Sequence, residues 1–175
     1  MKEDLKEYKK ESDKKMIKAI VYESNTGHTK QYAEMLGKEL GISALTIKEA
    51  SKTLDKNDEI IFLGWIFATK IKGLSKMNRY NIKCVGAVGI YPEGREYIDS
   101  LIKANNLNKK MFYLRGGLNF NKLTGFKKTL LQWVGKMIKK ENKPENQELI
   151  KLFKHGANFV SESNLRPMIE YIKGI

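Results

Sequence analysis

A chain of 175 residues, 41% hydrophobic and 10% aromatic, suits one domain with a sizeable core and leaves little room for two. Its formal net charge of +13 favours anionic partners, and no apolar run approaches the ~20 residues of a membrane-spanning helix. The lone Cys84 excludes a disulfide framework, and the N-terminal MKEDLKEYKKESDKK lacks a signal-peptide core, so a cytoplasmic protein is expected.

Residues 1–15 hold six lysines against five acids and read as a charged arm, which leaves 16–175 as a single domain. Ala19, Ile20, Val21 and Tyr22 form a short apolar run of the kind found in a strand covered on both faces of a parallel sheet. Tyr32, Met35, Leu36 and Leu40 then recur at helical spacing. Between strand and helix stands Ser24-Asn25-Thr26-Gly27-His28-Thr29, with three hydroxyls, an amide and a glycine. A phosphate monoester needs several converging donors, and a helix start supplies open N–H groups together with the favourable end of the helix dipole. Gly27 lets the backbone approach closely or take positive φ. The chain has neither the Walker lysine spacing nor GxGxxG, which removes the motifs for nucleoside triphosphates and dinucleotides. A hydroxyl-rich helix cap, with Ser24 or Thr26 at the N-cap, is the alternative.

Gly41 marks a helix stop, and Ile42 to Ile47 reads as a second strand at a sheet edge. Glu49 to Asn57 is a polar connection with a helical turn. Ile60, Ile61, Phe62 and Leu63 form a buried third strand ending at Gly64-Trp65-Ile66-Phe67-Ala68-Thr69, a second candidate site. Leu74 to Tyr80 suits a short basic helix. Cys84 to Ile90 is a fourth buried strand, ending at Tyr91-Pro92-Glu93-Gly94, and Tyr97, Ile98, Leu101 and Ile102 give the next helix its apolar face. Met111 to Leu114 is the fifth strand. Leu123, Phe126, Leu130, Val134, Met137 and Ile138 lie at helical spacing, with Trp133 beside the stripe and lysines opposite. A polar connection from Lys139 to Glu145 leads to a short helix from Glu145 to Lys154, and Ser163 or Asn164 caps a last helix with Pro167 in its first turn.

Strands alternating with helices imply an α/β fold: a doubly wound five-stranded parallel sheet, order 2-1-3-4-5, with helices on both faces. Ligands bind such sheets at the carboxyl ends of strands one and three, so the turns at Ser24, Trp65 and Tyr91 are expected to converge.

The turn Ser24-Asn25-Thr26-Gly27-His28-Thr29 resembles the flavodoxins, whose first strand ends in a T/S-x-T-G-x-T turn around the cofactor phosphate. That family is itself a standard illustration of the strand-end rule. The resemblance covers roughly Met16 to Tyr113 and implies a flavodoxin-like fold holding a non-covalent FMN through Ser24, Asn25, Thr26, Gly27, His28 and Thr29. Flavodoxins commonly sandwich the flavin between an aromatic residue after strand three and a tyrosine after strand four. The resemblance therefore adds Trp65, Ile66, Phe67, Ala68 and Thr69, with Tyr91 and Gly94, and the aromatic rings are suited to stacking on an isoalloxazine. Gly116-Gly117-Leu118-Asn119-Phe120-Asn121-Lys122-Leu123, followed by a basic helix, is similar to a flavodoxin-domain family that includes the menaquinone-dependent protoporphyrinogen oxidases. The chain shows no long late insertion of the kind those oxidases carry, and SESNLRPMIEYIK stands in place of their acidic, aromatic ending, so the resemblance leaves the porphyrin substrate open.

The implied function is electron transfer through FMN, to or from a redox partner protein, a quinone or a similar acceptor, with no catalytic side chain and no metal. Between Leu101 and Lys143 eleven basic residues face Glu141 alone, a net +10. Electron-carrier flavodoxins are typically acidic, so this charge leans toward a quinone-linked oxidoreductase and an anionic membrane surface. No nucleic-acid module accompanies the lysines. In a doubly wound fold the apolar stripe of the helix from Leu123 to Lys140 is expected to pack on the sheet, leaving lysines outside. A flavin-free binding or membrane-surface module is the alternative function.

Overall fold

The structure, a computed structural model, describes residues 16–119, 122, 125–141 and 147–175. The expected arm at 1–15 and part of the polar connection before the short helix lie outside the described residues. Strand β1 (Ala19–Glu23) leads to helix α1 (His28–Leu40), β2 (Ala44–Thr46), α2 (Ile47–Thr53), β3 (Glu59–Phe67) and β4 (Lys70–Ile71). A 3-10 turn (Leu74–Met77) precedes β5 (Asn81–Gly89), α3 (Arg95–Ala104), β6 (Lys110–Arg115) and β7 (Gly117–Leu118). Helices α4 (Gly125–Glu141) and α5 (Gln147–His155), strand β8 (Ala157–Asn158) and helix α6 (Glu162–Lys173) complete the chain.

The main sheet runs β2-β1-β3-β5-β6, all parallel, with β4 antiparallel on the end of β3. With the small β4 set aside, this is the expected order 2-1-3-4-5. The period-2 alternation of each strand divides the core between two layers. Ile20, Ile61, Leu63, Cys84 and Leu114 meet Tyr32 and Leu36 of α1 and Leu165 and Met168 of α6. Their strand neighbours Ala19, Val21, Ile60, Phe62, Val85 and Ala87 meet Ala50 of α2, Met77 and Tyr80 on the opposite face. Burial explains Cys84, which is fully enclosed with its thiol pushed up to about 12.

Several local features differ from the sequence expectation. The second strand is shorter than expected and ends at Thr46, which caps α2: its hydroxyl accepts Glu49 N–H at 3.2 Å while Glu49 Oε2 accepts Thr46 N–H at 2.7 Å. That capping box makes a full helix of what reads as a polar connection. Helix α6 starts at Glu162, so Pro167 is its sixth residue, past the first turn, and Asn164 turns inward. β7 and β8 pair antiparallel, with Gly117 opposite Asn158 and Leu118 opposite Ala157, a contact without a local signal.

The larger difference concerns α4. Among the described residues it packs mainly on α5, with Gly135 against the Phe153 ring and Ile138 in the small cluster of Leu118, Leu149 and Leu152. Trp133 is 58% exposed and Met137 46%. Of the expected stripe, Leu123 lies outside the described residues, as do the side chains of Phe126 and Leu130.

Candidate functional site

The turn between β1 and α1 is organised by Gly27, which takes φ 103 and ψ −15 as the residue before the helix. A β-carbon is strained in that conformation. Ser24 Oγ accepts the N–H groups of Gly27 at 3.2 Å and Lys30 at 3.4 Å. The open donors of the turn and first helical turn thus already converge on one oxygen, the role a phosphate oxygen takes at such a helix start. Of the two cap residues considered from sequence, neither Ser24 nor Thr26 occupies the N-cap itself, yet Ser24 serves its donors from three residues upstream. Thr29 and His28 are buried, and Thr26 Oγ1 lies 3.1 Å from His28 Nδ1. Lys122 brings its ammonium to the same turn, 3.5 Å from where a β-carbon on Gly27 would stand. Burial, reinforced by the Lys122 charge, holds the His28 imidazole below its ordinary 6.5. Helix terminus and lysine together make the turn an anion-favouring place with a neutral histidine at its base.

Beside this turn is an open cleft of about 530 Å³ around a cavity of about 80 Å³. Asn25, Thr26, His28 and Thr29 line it from the turn, Trp65 and Ile66 from the end of β3, and Val88, Gly89 and Ile90 from the end of β5. Gly117 and Leu118 close the remaining side. The donors of the turn, with Lys122 beside Gly27, fit a phosphate group, and the apolar side chains Trp65, Ile66, Val88, Ile90 and Leu118 fit a flat ring system such as that of FMN.

Not every residue expected from sequence reaches the cleft. Phe67, Ala68 and Thr69 do not line it, because β3 continues through Phe67 and reverses into β4 over a two-residue turn. Ala68 and Thr69 occupy that turn with φ 47 and φ 63, a conformation that matches the twist of the paired strands. Asn105 braces the hairpin, accepting Ile71 N–H and donating to the Thr69 carbonyl, both at 2.8 Å. Phe67 instead leans on Trp65, ring centres 5.7 Å apart. Tyr91 and Gly94 also lie off the cleft. The Tyr91 ring packs on Tyr97 at 5.4 Å, Tyr97 meets Tyr113 edge-on at 5.7 Å, and Gly94 precedes α3. Ile90, one residue earlier, takes the lining position.

Sequence reasoning missed Val88, Gly89, Ile90, Gly117, Leu118 and Lys122 as site residues. The glycine pair was the available signal: a β-carbon on Gly117 would come within 2.1 Å of the Ala157 carbonyl and 2.8 Å of His28 Nε2. Only glycine lets β7 pass between β8 and the phosphate-type turn.

A family model described as a flavodoxin domain matches residues 19–145, most of the chain and all of this cleft. The chain belongs to the flavodoxin domain family. A solved flavodoxin from the domain Archaea is a structural neighbour at 18% identity, covering 57% of this chain and 82% of that one with a TM-score of 0.32. Comparison with curated proteins gave no match. For this flavodoxin-domain chain, no helix among the described residues is long and apolar enough to cross a membrane.

Proposed function

We propose that this flavodoxin-domain protein binds FMN non-covalently and works as a redox protein. The observation that carries the reading is the cleft itself: the hydroxyl-rich turn, Trp65 and the end of β5 face one another beside β1 and β3. The Thr26 and Thr29 hydroxyls, the first N–H groups of α1 and the Lys122 ammonium hold the phosphate. Ser24 releases those N–H groups when a phosphate oxygen replaces its own. Trp65, Ile66, Ile90 and Leu118 orient the ring and shield one edge from water.

FMN, when bound, supplies transfer of one or two electrons. The chain's own part is to bind, orient and select the partner, so no general acid or base is assigned, and His28 stays neutral as a packing residue. The basic charge favours an acidic redox protein or a quinone met at an anionic surface, and the likeness of Gly116 to Leu123 to a flavodoxin-domain family that includes the menaquinone-dependent protoporphyrinogen oxidases is the ground for the second. The absorbance spectrum of the purified protein tests the reading. Flavin bands that are released by denaturation support non-covalent FMN, whereas a colourless protein that stays colourless after incubation with FMN overturns it.

A further inference from the structure

Helix α4 turns one side to α5 through Gly135 and Ile138. At 3.6 residues per turn the opposite side carries Lys136 and Lys140, both exposed, while Lys139, also exposed, lies on the flank one turn beyond Gly135. On that same outer side stand Trp133 and Met137, one turn apart and more exposed than any other apolar residue of the helix that is described. Lysines beside a tryptophan on a helix of modest overall hydrophobicity are the composition of a helix that lies in a lipid interface. Tryptophan prefers the headgroup level, where its indole is half apolar and half wet.

We propose that the outer side of α4 docks on an anionic lipid membrane, with Trp133 and Met137 entering the headgroup layer while Lys136 and Lys140, helped by Lys139 on the flank, pair with lipid phosphates. Charge complementarity names the occupant: from Leu101 to Lys140 the chain has basic residues and no acid. A bare polyanion such as polyglutamate or a nucleic acid would take the lysines alone, whereas an anionic bilayer takes the lysines and the Trp133–Met137 pair together. The attachment is peripheral, since no described helix spans a bilayer. It goes beyond the flavin proposal and holds whether or not FMN binds.

The test is co-sedimentation of the whole chain with phosphatidylcholine vesicles, with or without phosphatidylglycerol, and with polyglutamate and an oligonucleotide as competing ligands. Binding to the anionic vesicles alone is expected, falling about tenfold or more between ~0.1 M and ~1 M salt as the screening length shortens from about 10 to about 3 Å. Replacing Lys136, Lys139 and Lys140 together by Gln lowers binding at least about tenfold, given the contribution of each lysine near an anionic surface. The chain has two tryptophans, so Trp65→Phe leaves Trp133 as sole reporter, and its emission shifts to shorter wavelength on the vesicles. Trp133→Ala, a surface change, weakens sedimentation several-fold and needs no reporter. Equal binding to neutral vesicles, no vesicle binding at low salt, or capture by polyglutamate or the oligonucleotide alone overturns the proposal. Anionic binding with unshifted Trp133 emission and an unaffected Trp133→Ala variant overturns it as well.

Discussion

Tyr32 donates its hydroxyl to the Arg115 carbonyl at 2.6 Å, joining the first helix to the end of β6, where the chain turns toward Gly117 and Leu118. The two sides of the cleft are thereby tied together by a part-buried bond. Asn164 Nδ2 donates to the same hydroxyl at 2.6 Å and to the Phe159 carbonyl at 2.9 Å, so α6 joins the lock. Tyr32 is fully buried, and burial pushes its hydroxyl above the ordinary 10.0, which keeps it a donor. Tyr32→Phe leaves a buried carbonyl short of its donor and is expected to lower stability by about 1–3 kcal/mol. A urea midpoint that falls while the slope holds is the expected readout; an unchanged midpoint would show that Asn164 alone suffices.

The two aromatic positions expected from sequence should separate on mutation. Trp65 lines the cleft and Tyr91 packs on Tyr97. Trp65→Ala is expected to weaken FMN binding by about 0.5–1.5 kcal/mol from lost ring packing, with more from lost burial. Tyr91→Ala should leave affinity nearly unchanged while lowering stability. Isothermal titration of both variants checks this, and a larger loss at Tyr91 would place the ring on the other side of the cleft.

His28 gives the apoprotein a pH dependence. Its imidazole is held below 6.5 by burial and then by Lys122, so the unfolded chain takes up this proton at a higher pH than the folded one. Stability is therefore fully present above about pH 6.5 and falls as the pH drops toward the folded value. Melting temperatures between pH 7.5 and pH 5, in the region of the histidine transition, should decline in the wild type and decline less in His28→Gln. Parallel profiles would remove His28 as the titrating group.

How much of this was legible depended on where the determining contacts lie. Ile60 to Leu63 and Cys84 to Ile90 declared themselves as strands because both faces of a central parallel strand are covered, which leaves a continuous apolar run. The turn from Ser24 to Thr29 was legible because its chemistry is local to six residues. The end of β3 was not. Gly64 to Thr69 reads as a loop, yet a two-residue turn at Ala68 and Thr69, with no Asn-Gly or Asp-Gly to announce it, folds β4 back onto the strand. Gly117 and Leu118 depend on pairing with Ala157 and Asn158, and Lys122 on where that pairing carries the chain. The exposure of Trp133 is equally non-local, since it follows from α5 taking the opposite side of α4.

Direct titration of the apoprotein with FMN and with riboflavin, following quenching of flavin fluorescence, tests the central claim that the turn after β1 is a phosphate site. FMN should bind the wild type at least about a hundredfold more tightly than riboflavin, as two charge-assisted bonds of roughly 1.5–3 kcal/mol each require. The Thr26→Ala and Thr29→Ala double variant should lose most of that advantage while binding riboflavin as before. Equal affinity of the wild type for FMN and riboflavin, or no binding of either, would contradict the account.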